Sequence, residues 1–253
     1  VFIVKPHGFD PAKKYPLVHL LHGGPQTMVR DSFGYRWNHH VFASPGYIVA
    51  WVNRHGSTGF GERFARSIHG AWGEKPTQDI LRANEYLFEK VPAIDRSNIA
   101  AAGASYGGYL ATWLAAHTDG VFKTLVNHAG ASDYIGQYGA DLTNYIFDDV
   151  VWGGTPWRNA EAMQRNNPLT YASNFKTPML ILHGELDYRV PYGQSLSLYG
   201  ILQGMGVPSR LVIFPNENHW ILSPQNSIYW NYEVQSWLAR YIGGTPMPKP
   251  VFD

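Results

Sequence analysis

Short apolar stretches alternate with longer segments of helical periodicity along most of the chain. The apolar stretches are rich in aliphatic and β-branched residues, as expected of strands buried on both faces of a sheet. They predict strands near residues 17–21, 48–53, 98–103, 123–128, 178–183 and 209–214, with an early strand at 1–4. The periodic segments predict helices near residues 77–90, 106–117, 193–204 and 226–241.

The order of these elements predicts the class of fold. Strands that alternate with helices form a mainly parallel sheet with helices on both faces, which is an α/β architecture. We expect residues 1–243 to form a single domain and the proline-rich residues 244–253 to form a C-terminal tail. The last predicted helix carries aromatic residues at helical spacing, and this stripe indicates a face packed on the core rather than a ligand site.

Composition agrees with one globular domain and argues against several classes of function. The 253 residues are 45% hydrophobic and 15% charged, so the chain can bury a large core. A formal net charge of +1 without a long Lys/Arg run gives no electrostatic case for nucleic acid. No apolar run approaches the roughly 18 residues needed to span a bilayer. Cysteine is absent, which excludes disulfides and thiol catalysis.

Neither a metal nor a cofactor is expected, because the sequence contains no H-E-x-x-H motif and no paired Cys/His spacing. The lack of cysteine is compatible with an oxidising compartment but leaves the location open, with a periplasmic or secreted location slightly favoured over the cytoplasm.

The segment Gly103-Ala104-Ser105-Tyr106-Gly107 is a G-x-S-x-G motif between a predicted strand and a predicted helix. In a nucleophile elbow the serine sits on a sharp, strained turn, and glycines are needed where the neighbouring backbone comes close. The following N–H, that of Tyr106, points to where negative charge develops during attack on a carbonyl. We therefore predict that Ser105 is the nucleophile of a serine hydrolase.

An acid and a histidine should follow this serine in that order. Asp187 lies in the loop after the strand near 178–183, and His219 lies in the loop after the strand near 209–214. We predict that His219 is the general base and that Asp187 orients it. Glu185, two residues before Asp187, is the alternative acid. His183 ends an apolar strand and is expected to be a buried, hydrogen-bonded imidazole.

A second oxyanion donor is expected from the loop that follows the strand near 17–21. His22-Gly23-Gly24-Pro25 matches the H-G-G type of loop, and we select the Gly24 N–H as the donor opposite Tyr106. Two glycines before a proline also make an ordinary turn. The position of the loop, after a buried strand and upstream of the elbow, favours the functional interpretation.

Five segments together resemble the catalytic domain of the prolyl oligopeptidase family of serine peptidases, and within it the acylaminoacyl-peptidase and dipeptidyl-peptidase V branch. They are His22-Gly23-Gly24-Pro25, Gly56-Ser57-Thr58-Gly59-Phe60-Gly61, Gly103-Ala104-Ser105-Tyr106-Gly107-Gly108-Tyr109, His183-Gly184-Glu185-Leu186-Asp187 and Glu217-Asn218-His219-Trp220. The likeness extends over about residues 14–241. It implies the α/β-hydrolase fold and assigns the same triad and the same two oxyanion donors.

The resemblance also bears on the type of oxyanion hole and on a partner domain. In the dipeptidyl-peptidase IV branch a tyrosine hydroxyl serves the oxyanion, and His22 occupies that position here, which favours the acylaminoacyl and dipeptidyl-peptidase V type. Family members usually carry an N-terminal β-propeller that gates the site, and none is present in this chain. We therefore expect the chain to be a fragment, a processed product or an isolated domain whose full-length form includes a propeller.

The resemblance places the acyl-side pocket at residues 131–138, and the pocket candidates are Tyr134, Tyr138 and Val190. They could instead pack the core beneath an insertion at about 139–168. Trp152 and Trp157 in that insertion could cap the site, although aromatic residues bury well without such a role.

The expected function is hydrolysis of peptide bonds in short or N-terminally acylated peptides, through an acyl-enzyme. The alternative is a carboxylesterase acting on small esters, because amide and ester cleavage share the acyl-enzyme route. An inactive binding domain is disfavoured because no triad member is missing.

Overall fold

A seven-stranded sheet forms the centre of the molecule. A computed structural model of the chain describes residues 1–141 and 153–252. The strands are β1 (Phe2–Val4), β2 (Tyr15–Leu21), β3 (Ile48–Trp51), β4 (Ile94–Ala104), β5 (Thr124–His128), β6 (Met179–Gly184) and β7 (Ser209–Phe214). Their spatial order is β1-β3-β2-β4-β5-β6-β7. Only β1 runs antiparallel to its neighbour, β3; the remaining neighbours pair in parallel.

Eight α-helices lie among the described residues. They are α1 (His39–Ala43), α2 (Glu62–Arg66), α3 (Glu74–Lys90), α4 (Tyr106–His117), α5 (Tyr134–Ala140), α6 (Ala160–Asn166), α7 (Gly193–Gly204) and α8 (Pro224–Ile242). A 3₁₀ segment spans Pro168–Asn174.

Both faces of the sheet are buried by helices, and each strand contributes to two cores because its side chains alternate between the two faces. In β2, Leu17 and Leu21 belong to a core shared with α3, α4 and α7, whereas Val18 and Leu20 belong to a second core shared with α1 and α8. The helix α4 is enclosed almost entirely, which explains its lack of a polar face. The predicted mainly parallel sheet with helices on both faces is confirmed.

Three differences from the predicted elements have local physical reasons. Helix α3 begins at Glu74 rather than near 77, because Pro76 lies in the first turn, where a missing N–H breaks no helical hydrogen bond. Strand β4 begins at Ile94 rather than near 98, since its polar start is held by pairing of Ile94 with Tyr15 on β2. The short helices α1, α2, α5 and α6 offered too few turns for a periodic signal.

The parallel arrangement brings the ends of four strands to one edge of the sheet. Leu21 at the end of β2 pairs with Gly103 on β4, and Gly184 at the end of β6 pairs with Phe214 at the end of β7. The loops after these strands carry the candidate residues, so chain segments far apart in sequence meet at this carboxyl edge.

Candidate active site

Ser105 occupies the turn between β4 and α4 with φ 57° and ψ −120°. This left-handed backbone is costly for a residue with a side chain, and such strain is found at functional sites. The turn is tight: a Cβ at Gly103 would overlap the Gly107 carbonyl, and a Cβ at Gly107 would overlap the carbonyl oxygen of Leu21. The two glycines of the motif are therefore required sterically.

Asp187 and His219 are joined by a short hydrogen bond, with His219 Nδ1 2.6 Å from Asp187 Oδ2. The other carboxylate oxygen, Oδ1, accepts the main-chain N–H groups of Arg189 at 2.9 Å and Val190 at 2.8 Å. Asp187 is buried, whereas Glu185 is exposed. The structure thus brings Asp187, and not Glu185, to the imidazole.

The environment of Asp187 favours its charged form. Burial by itself raises the pKa of a carboxyl, but hydrogen bonds from His183 and His219 outweigh it and hold the pKa of Asp187 well below its ordinary value. His183 is buried, as expected, with Nδ1 2.6 Å from Ser195 Oγ and Nε2 2.7 Å from the Val190 carbonyl oxygen. A stable carboxylate next to His219 can stabilise an imidazolium.

His128, at the end of β5, contacts both Ser105 and His219. Its carbonyl oxygen accepts the Ser105 N–H at 2.9 Å, and its Nε2 lies 3.4 Å from the His219 carbonyl oxygen. The Trp230 indole N–H donates to His128 Nδ1 at 3.0 Å, which leaves the ring proton on Nε2. Burial lowers the pKa of His128 to about 3, so its imidazole is neutral near pH 7. Ser105 and His219 therefore share one rigid neighbour.

The loop proposed for the second oxyanion donor is held on several sides. Gly24 has φ +120°, and a Cβ there would lie 2.8 Å from the Gln26 nitrogen, so only glycine fits. His22 binds the Gly23 carbonyl through Nδ1 at 2.8 Å and Ser57 Oγ through Nε2 at 2.9 Å. Burial, together with the nearby Arg54 charge, lowers the pKa of His22 to about 3. His22 is therefore neutral near pH 7, and its two hydrogen bonds hold the loop in place.

Arg54 is a buried cation that contacts both segments from which the proposed oxyanion donors come. Its guanidinium lies 4.2 Å from the ring centroid of Tyr106 and donates to the His22 carbonyl at 2.9 Å. Burial lowers its pKa, an effect opposed by Tyr106 and Asp79. The Tyr106 hydroxyl in turn donates to the Trp72 carbonyl at 2.5 Å, and burial raises the Tyr106 pKa to about 12.

A cavity opens beside Ser105. Its wall includes both proposed oxyanion donors, and all three predicted pocket residues lie on it. The lining residues are Gly24, Pro25, Trp72, Ser105, Tyr106, Tyr109, Ala131, Tyr134, Gln137, Tyr138, Asp141, Met163, Arg189 and Val190. Tyr134 and Val190 also belong to the hydrophobic core. These two residues therefore both pack in the core and line the cavity, so the pocket and core interpretations are not exclusive.

Two residues of the cavity lining carry opposite charges: Arg189 Nη1 lies 3.3 Å from Asp141 Oδ1. Trp157 is 72% exposed and contacts the edge of Tyr138, with ring centroids 5.4 Å apart. Trp152 lies outside the described residues. Trp157 therefore stands at the rim and does not cover the cavity in this conformation.

Sequence reasoning did not find Arg54, His128 or the Arg189–Asp141 pair. Arg54 lies two residues before the Gly56–Gly61 motif, and a charged residue there, after an apolar strand, is the signal that could have found it. His128 ends a buried strand at the functional edge of the sheet, which is a similar signal.

Within residues 1–141 and 153–252, no group of three or more histidine, aspartate or glutamate side chains is arranged to hold a metal ion. In the same part of the chain, no helix has the length and hydropathy required to cross a membrane.

Comparison with known proteins gives a consistent family. The model of the prolyl oligopeptidase family matches residues 33–245, a range that includes all three predicted triad residues. Dipeptidyl-peptidase 5 of Schizosaccharomyces pombe is 41% identical over 241 residues, which cover 95% of this chain and 35% of that protein. Dipeptidyl-peptidase 5 of Aspergillus oryzae is 42% identical over 245 residues, covering 96% and 34%. The chain thus spans about a third of the length of these relatives.

Solved structures agree with the sequence comparison. An acylaminoacyl peptidase in complex with Z-Gly-Gly-Phe-chloromethyl ketone superposes with a TM-score of 0.89 at 31% identity, over 97% of this chain and 40% of that one. A puromycin hydrolase superposes with a TM-score of 0.85 at 26% identity, over 98% of this chain and 38% of that one. The expected α/β-hydrolase type of catalytic domain is confirmed by these neighbours.

Proposed function

The chain belongs to the prolyl oligopeptidase family, and on that premise we propose that it is a serine peptidase that cleaves short or N-terminally acylated peptides through an acyl-enzyme. The observation that carries the proposal is the short hydrogen bond between His219 and the buried Asp187, at the same sheet edge as Ser105 on its strained turn. Names of the relatives, dipeptidyl-peptidase and acylaminoacyl peptidase, support the substrate class.

In the proposed reaction, Ser105 Oγ attacks the scissile carbonyl carbon while His219 Nε2 takes its proton. Asp187 holds the other ring nitrogen and stabilises the imidazolium. The N–H groups of Gly24 and Tyr106 donate to the oxyanion, and the Arg54 cation that contacts both segments adds favourable electrostatic potential. His219 then gives its proton to the leaving amine, and water hydrolyses the ester on Ser105 by the same steps in reverse order.

The nucleophile can be identified with a fluorophosphonate probe on the intact protein. We expect one equivalent of label on Ser105, and Ser105→Ala should abolish it and lower kcat by roughly 10⁶, as for a triad acting as a unit. Ser97→Ala, at an exposed serine on β4, is the matched control and should leave both unchanged. Label on another residue, or full activity of the Ser105→Ala protein, would refute the assignment.

The esterase alternative is tested by the ratio of kcat/KM for a dipeptidyl anilide to that for p-nitrophenyl butyrate. We propose that the family's β-propeller supplies contacts to the peptide amino terminus, so this chain should cleave activated esters better than anilides. A longer protein that includes the propeller should regain anilide cleavage. Efficient, strictly dipeptide-releasing cleavage by residues 1–253 alone would show that the amino terminus is held within this chain.

A further inference from the structure

A second cavity borders the candidate site at Gly23 and Ala104. It is called here the tryptophan cleft, and its lining residues are Leu21, His22, Gly23, Arg36, Trp37, Trp51, Ala104 and Trp220. The two cavities meet at consecutive residues without sharing any: the main cavity contains Gly24 and Ser105, and the cleft contains Gly23 and Ala104. The nucleophile turn and the oxyanion loop therefore form the partition between them.

Three indole rings make the walls of the cleft. Trp220 directly follows His219, and the two ring centroids are 5.1 Å apart. The Arg36 guanidinium lies 3.9 Å from the centroid of Trp220 and holds that ring against the cleft. Trp37 and Trp51 supply the other two rings of the lining. Such walls suit a flat, apolar guest, because aromatic pairs add attraction beyond the burial of area.

The backbone of Trp37 is strained, which indicates that the protein holds this ring in a specific position. Its φ of 51° is an outlier for a bulky residue. The ring is kept in place by stacking on Phe42 at 5.3 Å and by an edge contact with Trp230 at 5.1 Å. Strain of this kind persists only where surrounding contacts enforce it, and it clusters at ligand sites.

The proposed mechanism assigns the two cavities to the two halves of the substrate. The oxyanion donors line the main cavity, so the acyl group lies there. The leaving nitrogen must come within hydrogen-bond reach of His219, because that imidazole returns the proton. Since Trp220 adjoins His219 and faces the cleft, the chain beyond the leaving nitrogen enters the tryptophan cleft.

We propose that the tryptophan cleft binds the leaving residue of the substrate and selects one with an aromatic side chain. This inference rests on the proposed function, because it requires an acyl-enzyme on Ser105. It adds a preference on the side of the substrate opposite the pocket formed by Tyr134, Tyr138 and Val190.

The preference of the cleft can be measured by letting an added amine compete with water for the acyl group of the acyl-enzyme. The amine nitrogen bonds to the acyl carbon, the ester bond to Ser105 Oγ breaks, and the proton lost by the amine returns through His219 to Ser105 Oγ. An activated acyl ester is the donor, and phenylalaninamide and glycinamide are the competing amines. The ratio of amide product to acid product is independent of how much active enzyme is present, so a partly unfolded variant does not alter it.

We expect phenylalaninamide to capture the acyl group about tenfold better than glycinamide. This ratio corresponds to the binding free energy expected from burying one aromatic ring against another. Trp220→Ala should reduce this preference to about twofold, and Trp220→Phe should retain most of it. Arg36→Gln, at an exposed side chain, should weaken it without affecting folding. Trp157→Ala, on the rim of the other cavity, is the matched control and should leave the preference unchanged.

Equal capture of the two amines by the unaltered protein, or an undiminished preference in Trp220→Ala and Arg36→Gln, would overturn the assignment of the cleft alone. The proposed function is tested separately by the fluorophosphonate label and by ester hydrolysis without added amine. Absence of both label and hydrolysis would overturn the proposed function and the cleft assignment with it.

Discussion

Replacing Asp187 by asparagine tests the proposed triad through a change of one atom. In the native site Oδ1 accepts two main-chain N–H groups, from Arg189 at 2.9 Å and Val190 at 2.8 Å. Oδ2 lies 2.6 Å from His219 Nδ1 and 3.2 Å from His183 Nε2, which also lies 2.7 Å from the Val190 carbonyl oxygen. An asparagine oxygen should keep the two main-chain bonds, because turning the amide over would set its NH₂ against two donors. The NH₂ group must then face His219.

This orientation reverses the tautomer of the base. Facing a donor, His219 Nδ1 has to accept, so the ring proton moves to Nε2 and the imidazole can no longer take the Ser105 proton. We expect kcat to fall by roughly 10⁴, the loss found when a triad aspartate becomes asparagine, which corresponds to about 5.4 kcal/mol. KM should change little, because Asp187 is buried behind His219 and does not line the cavity.

Steady-state kcat and KM on one activated peptide substrate provide the assay. Glu185→Gln is the matched control: it removes an exposed carboxylate two residues away and should change kcat by less than about twofold, as surface substitutions usually do. A loss smaller than tenfold for Asp187→Asn, or a large loss for Glu185→Gln, would refute the reasoning and require another acid.

Three further substitutions test the surroundings of the site. Gly107→Ala should lower the free energy of unfolding by about 3 kcal/mol, because the added Cβ would overlap the Leu21 carbonyl. Urea denaturation measures this change. Gly200→Ala is the control: its Cβ would meet open space, so the substitution should be neutral or stabilising. Arg54→Met should lower kcat about tenfold and reduce Tm, since it removes a charge-assisted hydrogen bond to the proposed oxyanion loop and the contact with the Tyr106 ring. An unchanged kcat would refute that role. His19 is buried, and burial lowers its pKa to about 4, whereas its pKa in the unfolded chain is near 6.5. Between these two values the unfolded chain binds more protons at this residue than the folded protein does. The free energy of unfolding therefore falls as the pH decreases from 6.5 toward 4. His19→Gln should therefore remove about 2 kcal/mol of the stability lost between pH 6.5 and 5.0, and an unchanged pH dependence would contradict this.

Residue patterns alone determined the alternation of strands and helices and the placement of the candidate residues after particular strands. Parallel strands end at a common edge, so the positions of Ser105, Asp187 and His219 directly after predicted strands, together with the G-x-S-x-G motif, were enough to predict that the three residues lie on that edge. Those signals are local: they depend on side-chain periodicity and on the steric demands of one turn.

Only the tertiary structure decided which groups surround each candidate. Asp187 and Glu185 are both carboxylates in one loop, and burial with two main-chain donors distinguishes them. The placement of Arg54 against Tyr106 joins residues 52 positions apart, and no periodicity of the chain records that contact. The sequence of β1 also does not specify which strand it pairs with, and only the folded sheet places it antiparallel to β3. Hydrogen bonding and desolvation at these places depend on neighbours supplied by distant segments, and those neighbours exist only after the chain has folded.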